Sequence, residues 1–181
     1  MLREVSFAEA TRRWNRPERV VLAVTRGREG PADIIPLGWK MFTSFVPPMV
    51  AISVGLTRHS HKLLEECGEF VLAVPGEDLA AAVLFCGTRS GRDTDKFRET
   101  GLTPLPAKVI RPPLITEALV NLECIVRGTL RTGDHTIFAG EVVACHISDK
   151  KGPILVSRGE ESGYKRVLEG KGYRFGVIRD D

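Results

Sequence analysis

Cations and hydroxyls gather at two places in this sequence, Thr57-Arg58-His59-Ser60 with Lys62, and Arg89-Ser90-Gly91-Arg92 with Lys96. Both clusters fall where strand-like or helix-like patterns end. The first backbone N–H groups of a helix are unpaired and its dipole is positive there, so polar and basic side chains at a helix start make an anion site. Taken singly, each charge reads as solvated surface. Taken together, Arg58, Ser60, Lys62, Arg89, Ser90, Arg92 and Lys96 could converge on a phosphorylated ligand.

Other chemistries find less support. His59 and His61 stand two apart at a helix start and diverge, and no Cys or carboxylate lies at zinc-ligand spacing, so no metal is expected. Cys86 beside Gly87 offers a thiol, but no neighbouring residue nominates a base for it. There is no P-loop and no dinucleotide fingerprint, which excludes a pyridine nucleotide bound in the Rossmann manner. Trp39 and Phe97 read equally well as core aromatics, and His135 as a turn residue.

The totals are those of a soluble globular protein: 181 residues, 43% hydrophobic, 27% charged, net charge +3. The basic residues are spread rather than striped, which argues against nucleic acid. No run approaches the ~18 apolar residues of a membrane span. The first residues carry charges where a signal core would lie, and Cys67, Cys86, Cys124 and Cys145 form no CxxC pair. Reduced thiols in a cytoplasmic protein are the expectation.

The elements that must position these groups follow from periodicity. Ser6 and Glu9 have capping-box spacing for a short helix ending near Trp14. Residues 19–26 read as the first strand, 27–33 as a turn, and 34–44 as the second strand, with Pro36 marking an edge or bulge. Pro47-Pro48 turns the chain. Residues 50–56 form the third strand, with Val50, Ile52, Val54 and Leu56 on one face and the small Ala51, Ser53 and Gly55 on the other. A helix over 60–67 follows, burying Leu63, Leu64 and Cys67 and ending at Gly68. Residues 69–74 are the fourth strand, and 77–86 a helix stopped by Gly87. The polar loop 87–95 leads to a helical turn at 96–100, then to a proline-rich connector. Residues 120–131 and 136–147 form a long hairpin, with Val120, Leu122, Cys124, Val126 and Leu130 opposite Asn121, Glu123, Arg127, Thr129 and Arg131. In the Gly-, Lys- and Arg-rich tail from 148, only 153–156 and 173–178 read as ordered. So much strand without regular strand–helix alternation predicts a mostly antiparallel barrel with helices at its ends.

Read in order, TSFVPPMVAISVG, TRHSHKLL, EFVLAVP, FCGTRSGRDTDKF and GDHTIFAGEV closely resemble the flavin reductase-like family of FMN-binding split-barrel proteins, nearest its flavoredoxin-like branch. The resemblance runs from about residue 19 to residue 147. It implies a mainly β fold with short helices, a mostly antiparallel split β-barrel in a single domain over 1–181, its core about 19–147 and a C-terminal extension over 148–181. It also implies a homodimer with FMN near the interface. By position, Thr43 and Ser44 would bond the isoalloxazine edge, and Arg58, His59 and Ser60 the phosphate. Cys86, Gly87 and Ser90 would lie along the flavin, Lys96 and Phe97 would close over it, and Trp39 would wall the ring. His135 would stand where a nicotinamide docks.

The resemblance departs from pattern at Asp33, where the family leads the expectation of Asn, and in the basic tail. The implied activity is that of an NAD(P)H-dependent flavin oxidoreductase, in which hydride passes from NADH or NADPH to the flavin and electrons go on to an acceptor. That acceptor would be ferric iron, a disulfide, a redox partner protein, or an oxygenase that takes the released reduced flavin. The alternatives are a non-enzymatic FMN electron carrier and a split barrel that binds another planar or phosphorylated ligand. The protein supplies position and electrostatics rather than an acid or base.

Overall fold

In a computed structural model, residues 2–14, 18–152, 154–157, 163–170 and 173–179 are described. Their elements, in chain order, are α1 (Phe7–Trp14), β1 (Glu18–Arg19), β2 (Val21–Arg26), β3 (Ala32–Leu37), β4 (Lys40–Phe45), β5 (Pro48–Gly55), α2 (His59–Cys67) and β6 (Glu69–Val74). A 3-10 turn (Glu77–Leu79) runs into α3 (Ala80–Thr88), followed by α4 (Lys96–Thr100), β7 (Pro104–Leu105) and β8 (Leu114–Ile115). The rest are β9 (Val120–Thr132), β10 (His135–Ile147), β11 (Val156–Ser157), β12 (Gly163–Gly170) and β13 (Tyr173–Arg179). Chain contacts define two compact units, one of residues 20–155 and one of residues 1–19 with 156–181. In the smaller, β1 pairs with β11 and β12 with β13, and the Glu9 N–H bonds the Ser6 hydroxyl at 3.2 Å to start α1.

The larger unit is a seven-stranded antiparallel sheet in the order β3-β2-β6-β9-β10-β5-β4, and β3 also packs near β5 as the sheet curls. This is the mainly β, mostly antiparallel split barrel that the strand pattern predicts. β2 and β6 are buried on both faces because successive side chains point to opposite sides. Val21, Ala23, Phe70 and Leu72 enter a core shared with Val50, Ile52, Val54, Leu64 and Phe138. Leu22, Val24, Val71 and Ala73 enter another beneath α3 and α4, with Val83, Phe97 and Ile115. Each such side chain, fully buried, contributes about 1.5–3 kcal/mol.

Three local predictions need correction. The run 34–44 is two strands broken at Gly38-Trp39, so β3 and β4 lie at opposite ends of the sheet order. The helix after β6 does not stop at Gly87 but runs through it to Thr88, turning extended only at Arg89. In β9 the polar side chains are not all outside: Asn121 and Glu123 are buried while Leu130 is 61% exposed. The reason is the connector below β9, whose backbone has few ladder partners of its own. Asn121 both accepts from the Ile115 N–H and donates to its carbonyl, at 3.0 Å each. The Glu123 carboxylate accepts from the N–H groups of Lys108, Val109 and Ile110 at 2.7–3.2 Å, and His146 Nε2 meets it at 2.7 Å. Buried polar side chains here complete a backbone that would otherwise go unsatisfied.

Within α2, Leu63 and Leu64 are buried as expected, Cys67 only partly. Gly68 ends the helix at φ 63, donating its N–H to the Leu64 carbonyl. Pro36 sits on an edge strand, as its lack of a donor requires. Of the tail segments expected to be ordered, 173–178 falls within β13, and Pro153 lies outside the described residues.

Candidate functional site

A cleft of about 380 Å³ opens where the C-terminal end of β5, the start of α2, the strand β3 and the loop after α3 meet. The fold builds it from three connections. β5 ends at Gly55, and Thr57-Arg58 leads straight into α2. The β9–β10 turn places His135 opposite Gly55 in the ladder, so its imidazole comes into the cleft. The loop from Thr88 to Arg92 folds over β3, tied down where Arg92 Nη2 donates to the Thr57 carbonyl at 3.2 Å.

Arg58, Ser60, Arg89, Ser90, Arg92 and Lys96 all line this cleft, so the scattered cations do converge; Lys62 lies instead in an adjoining groove that shares His59, Gly91 and Arg92 with it. No side chain caps the α2 N-terminus. His59 Nδ1 is buried there and meets no hydrogen-bond partner among the described residues. His61, two residues on, turns the other way into the core: its Nε2 lies 2.8 Å from Thr136 Oγ1 and its ring meets Phe138 edge-on.

The base of the cleft holds a buried charge cluster. Lys96 Nζ is 2.8 Å from Asp33 Oδ1 and donates to the Ile34 carbonyl at 2.6 Å. The Ser60 hydroxyl donates to Asp33 Oδ2 at 2.5 Å. Both charged side chains are at most 4% exposed. Breaking such a pair costs roughly 3–5 kcal/mol, because the charge left behind is unsolvated. Gly91 packs directly over Asp33, and a Cβ there would stand 2.2 Å from Oδ1.

Cys86 and Gly87 form one wall with Ser90. Burial pushes the Cys86 thiol up to about 11, Lys96 only partly opposing it, so near neutral pH it is a thiol and a poor nucleophile. At the mouth, His135 Nδ1 is 2.7 Å from Asp134 Oδ1, and the Trp39 ring lies 4.8 Å from the His135 ring. Hydrogen bonding to His135 holds the Asp134 carboxyl below its ordinary value.

The other predicted positions are not part of the cleft lining, although Trp39 touches it through the His135 ring. Trp39 is 53% exposed and borders a small apolar hollow with Met41, Ile52 and Ile137. Thr43 and Ser44 are on the edge strand β4, where Ser44 Oγ accepts from the Val46 N–H. Phe97 is in the core. The cleft is also lined by Ile35 and Leu37, which the sequence did not single out. Thr57 and Ser53 line it too, named from the sequence only as a motif residue and a small strand residue, as does Asp33, noted only as a departure from Asn. A signal existed for Asp33, a lone carboxylate beside Ile34-Ile35 in an apolar strand. Among the described residues, no cluster of His, Cys, Asp or Glu is placed to hold a metal, and no helix is long and apolar enough to cross a membrane.

Residues 14–164 match the flavin reductase like domain family. An uncharacterized protein of Archaeoglobus fulgidus is 39% identical over 127 residues, covering 70% of this chain and 71% of its own length. A Streptomyces pristinaespiralis NADH:riboflavin 5'-phosphate oxidoreductase is 26% identical over 151 residues, covering 83% and 82%. Among solved structures, the FMN-binding protein of Thermus thermophilus with bound p-hydroxybenzaldehyde superposes with a TM-score of 0.77 at 23% identity, covering 88% of this chain and 91% of that one.

Proposed function

The chain belongs to the flavin reductase-like domain family, and from that premise we propose that it binds FMN in the cleft and serves as an NAD(P)H-dependent flavin oxidoreductase. The observation that carries the reading is the uncapped start of α2, with Arg58 beside it and the buried, unpartnered His59 Nδ1. A buried ring nitrogen without a partner costs free energy unless a ligand completes it. A phosphate does so while meeting the positive end of the helix. The residues present fit the group.

In this reading Arg58 and His59 take the phosphate together with the first N–H groups of α2. Ser60 contributes its backbone, since its hydroxyl is given to Asp33. Cys86, Gly87 and Ser90 flank the ring, and Lys96 with Asp33 forms the wall behind it. When bound, FMN would supply the redox chemistry of hydride acceptance from NADH or NADPH and of electron delivery to an acceptor, with the residues named here holding it. His135, steadied by Asp134 and Trp39, orients the nicotinamide at the mouth. The homodimer belongs to the same reading. β4 and the turn after it leave Phe42, Phe45 and Val46 at least 77% exposed, an apolar edge suited to a second copy. Thr43 and Ser44 on that edge would reach a flavin across the interface. An oxygenase component or redox protein is the proposed downstream partner.

Titration with FMN followed by flavin fluorescence, and then NADH and NADPH oxidation, tests the assignment. Quenching that saturates, with steady nicotinamide oxidation, is expected. Binding without turnover would leave an electron carrier, and absence of binding would overturn the flavin assignment itself.

A further inference from the structure

We propose that Asp33 is a positioning residue that cancels the charge of Lys96 at the cleft wall, so that a flavin reduced there meets no free cation on that side. The inference rests on FMN occupying the cleft. Both side chains line it, and both are nearly inaccessible to solvent. In that setting counter-ions and water do not screen them, and whichever charge is left unbalanced acts on the ligand. The carboxylate faces the ammonium at 2.8 Å and also takes the Ser60 hydroxyl at 2.5 Å. It thereby ties β3 and α4 to the first turn of α2. The exposed arginines, Arg58, Arg89 and Arg92, line the same cleft.

The consequence is a division of the cleft. Its exposed lining is cationic through Arg58, Arg89 and Arg92, whereas the buried pair of Asp33 and Lys96 is electrically neutral. Flavin gains negative charge on reduction, so an uncompensated Lys96 would favour the reduced form and an uncompensated Asp33 would oppose it. The pair sets the balance between them, and Gly91 admits the loop close enough to shield it.

The test is a charge cycle at these two positions, read on the FMN-loaded protein by its midpoint potential and by its affinity for sulfite, which adds to the ring and leaves a negative charge on it. Asp33→Asn is expected to tighten sulfite roughly tenfold or more, equivalent to a rise of about 30 mV per tenfold in a two-electron couple. Lys96→Met is expected to move both readouts the opposite way. The double variant, neutral again, and Lys96→Arg, which keeps the charge, are both expected to return close to wild type.

A purely packing role would move both single variants in the same direction, and the double variant further, which would overturn the proposal. Should Asp33→Asn fail to fold, Lys96→Met measured against the double variant and Lys96→Arg carries the same sign test. Wild-type protein that binds no FMN would overturn the flavin reading and this inference with it. Normal FMN binding with all variants at the wild-type potential would overturn this inference alone.

Discussion

Gly91 sits so close to Asp33 that a Cβ on it would stand 2.2 Å from Oδ1 and 2.5 Å from Cγ. Only glycine lets the 88–92 loop lie against the buried carboxylate. Gly91→Ala is therefore expected to lift the loop and destabilise the fold by about 1–3 kcal/mol, with a parallel loss of FMN affinity. Gly128→Ala, whose Cβ would meet nothing within 4 Å, is the control and should change neither. Urea unfolding and flavin titration of both variants check the pair; equal effects would show that the close approach is not what matters.

Removing the guanidinium at the α2 start should discriminate between ligands. Arg58→Ala is expected to weaken FMN by about 1.5–3 kcal/mol, the range for a hydrogen bond to a charged group, and riboflavin hardly at all. Fluorescence titration with both ligands decides it, since equal losses would move the phosphate elsewhere.

His135 is held by Asp134 on one side and the Trp39 ring on the other. His135→Ala should leave FMN affinity within a few-fold of wild type while slowing reduction by NADH or NADPH by roughly tenfold to a hundredfold, through lost orientation. Stopped-flow reduction of the loaded protein at saturating nucleotide is the measurement. An unchanged rate would remove the residue from the reaction.

The acid stability of the fold should depend on Glu123. Burial would raise its pKa, but the N–H groups of Lys108, Val109 and Ile110 and the contact with His146 outweigh that and leave it below the ordinary value of 4.5. A carboxyl whose folded pKa is depressed stabilises fully above its unfolded value and loses that contribution as pH falls through the folded one. Wild type should thus lose stability on acidification below about pH 4.5. Glu123→Gln should be less stable by about 1–3 kcal/mol at neutral pH, with a shallower fall in acid. Tm against pH for both proteins tests the sign.

What the sequence made legible was what its local pattern carries. β6, α2 with Gly68 and the long β9–β10 hairpin follow from periodicity and turn chemistry, and the cations at the strand and helix ends do face one cleft. What it hid was pairing across the fold. Asp33 and Lys96 look like surface charges until β3 and α4 bring them together. Glu123 looks like the polar face of a strand until the connector passes beneath it. The break at Gly38-Trp39 was equally invisible, because the residues on both sides have the same strand character while the chain crosses from one end of the sheet order to the other. Thr43 and Ser44 stand on that second edge, outside the lining of the cleft in their own chain.

The carboxylate of Glu123 grips the connector only by its amides, and the side chains of Lys108 and Val109 stand out in solvent. Those two positions are consequently free to drift in chemical character between related proteins, with one substitution forbidden. Proline, lacking the amide hydrogen, would release the grip. A survey of relatives should find almost any residue at these places except that one.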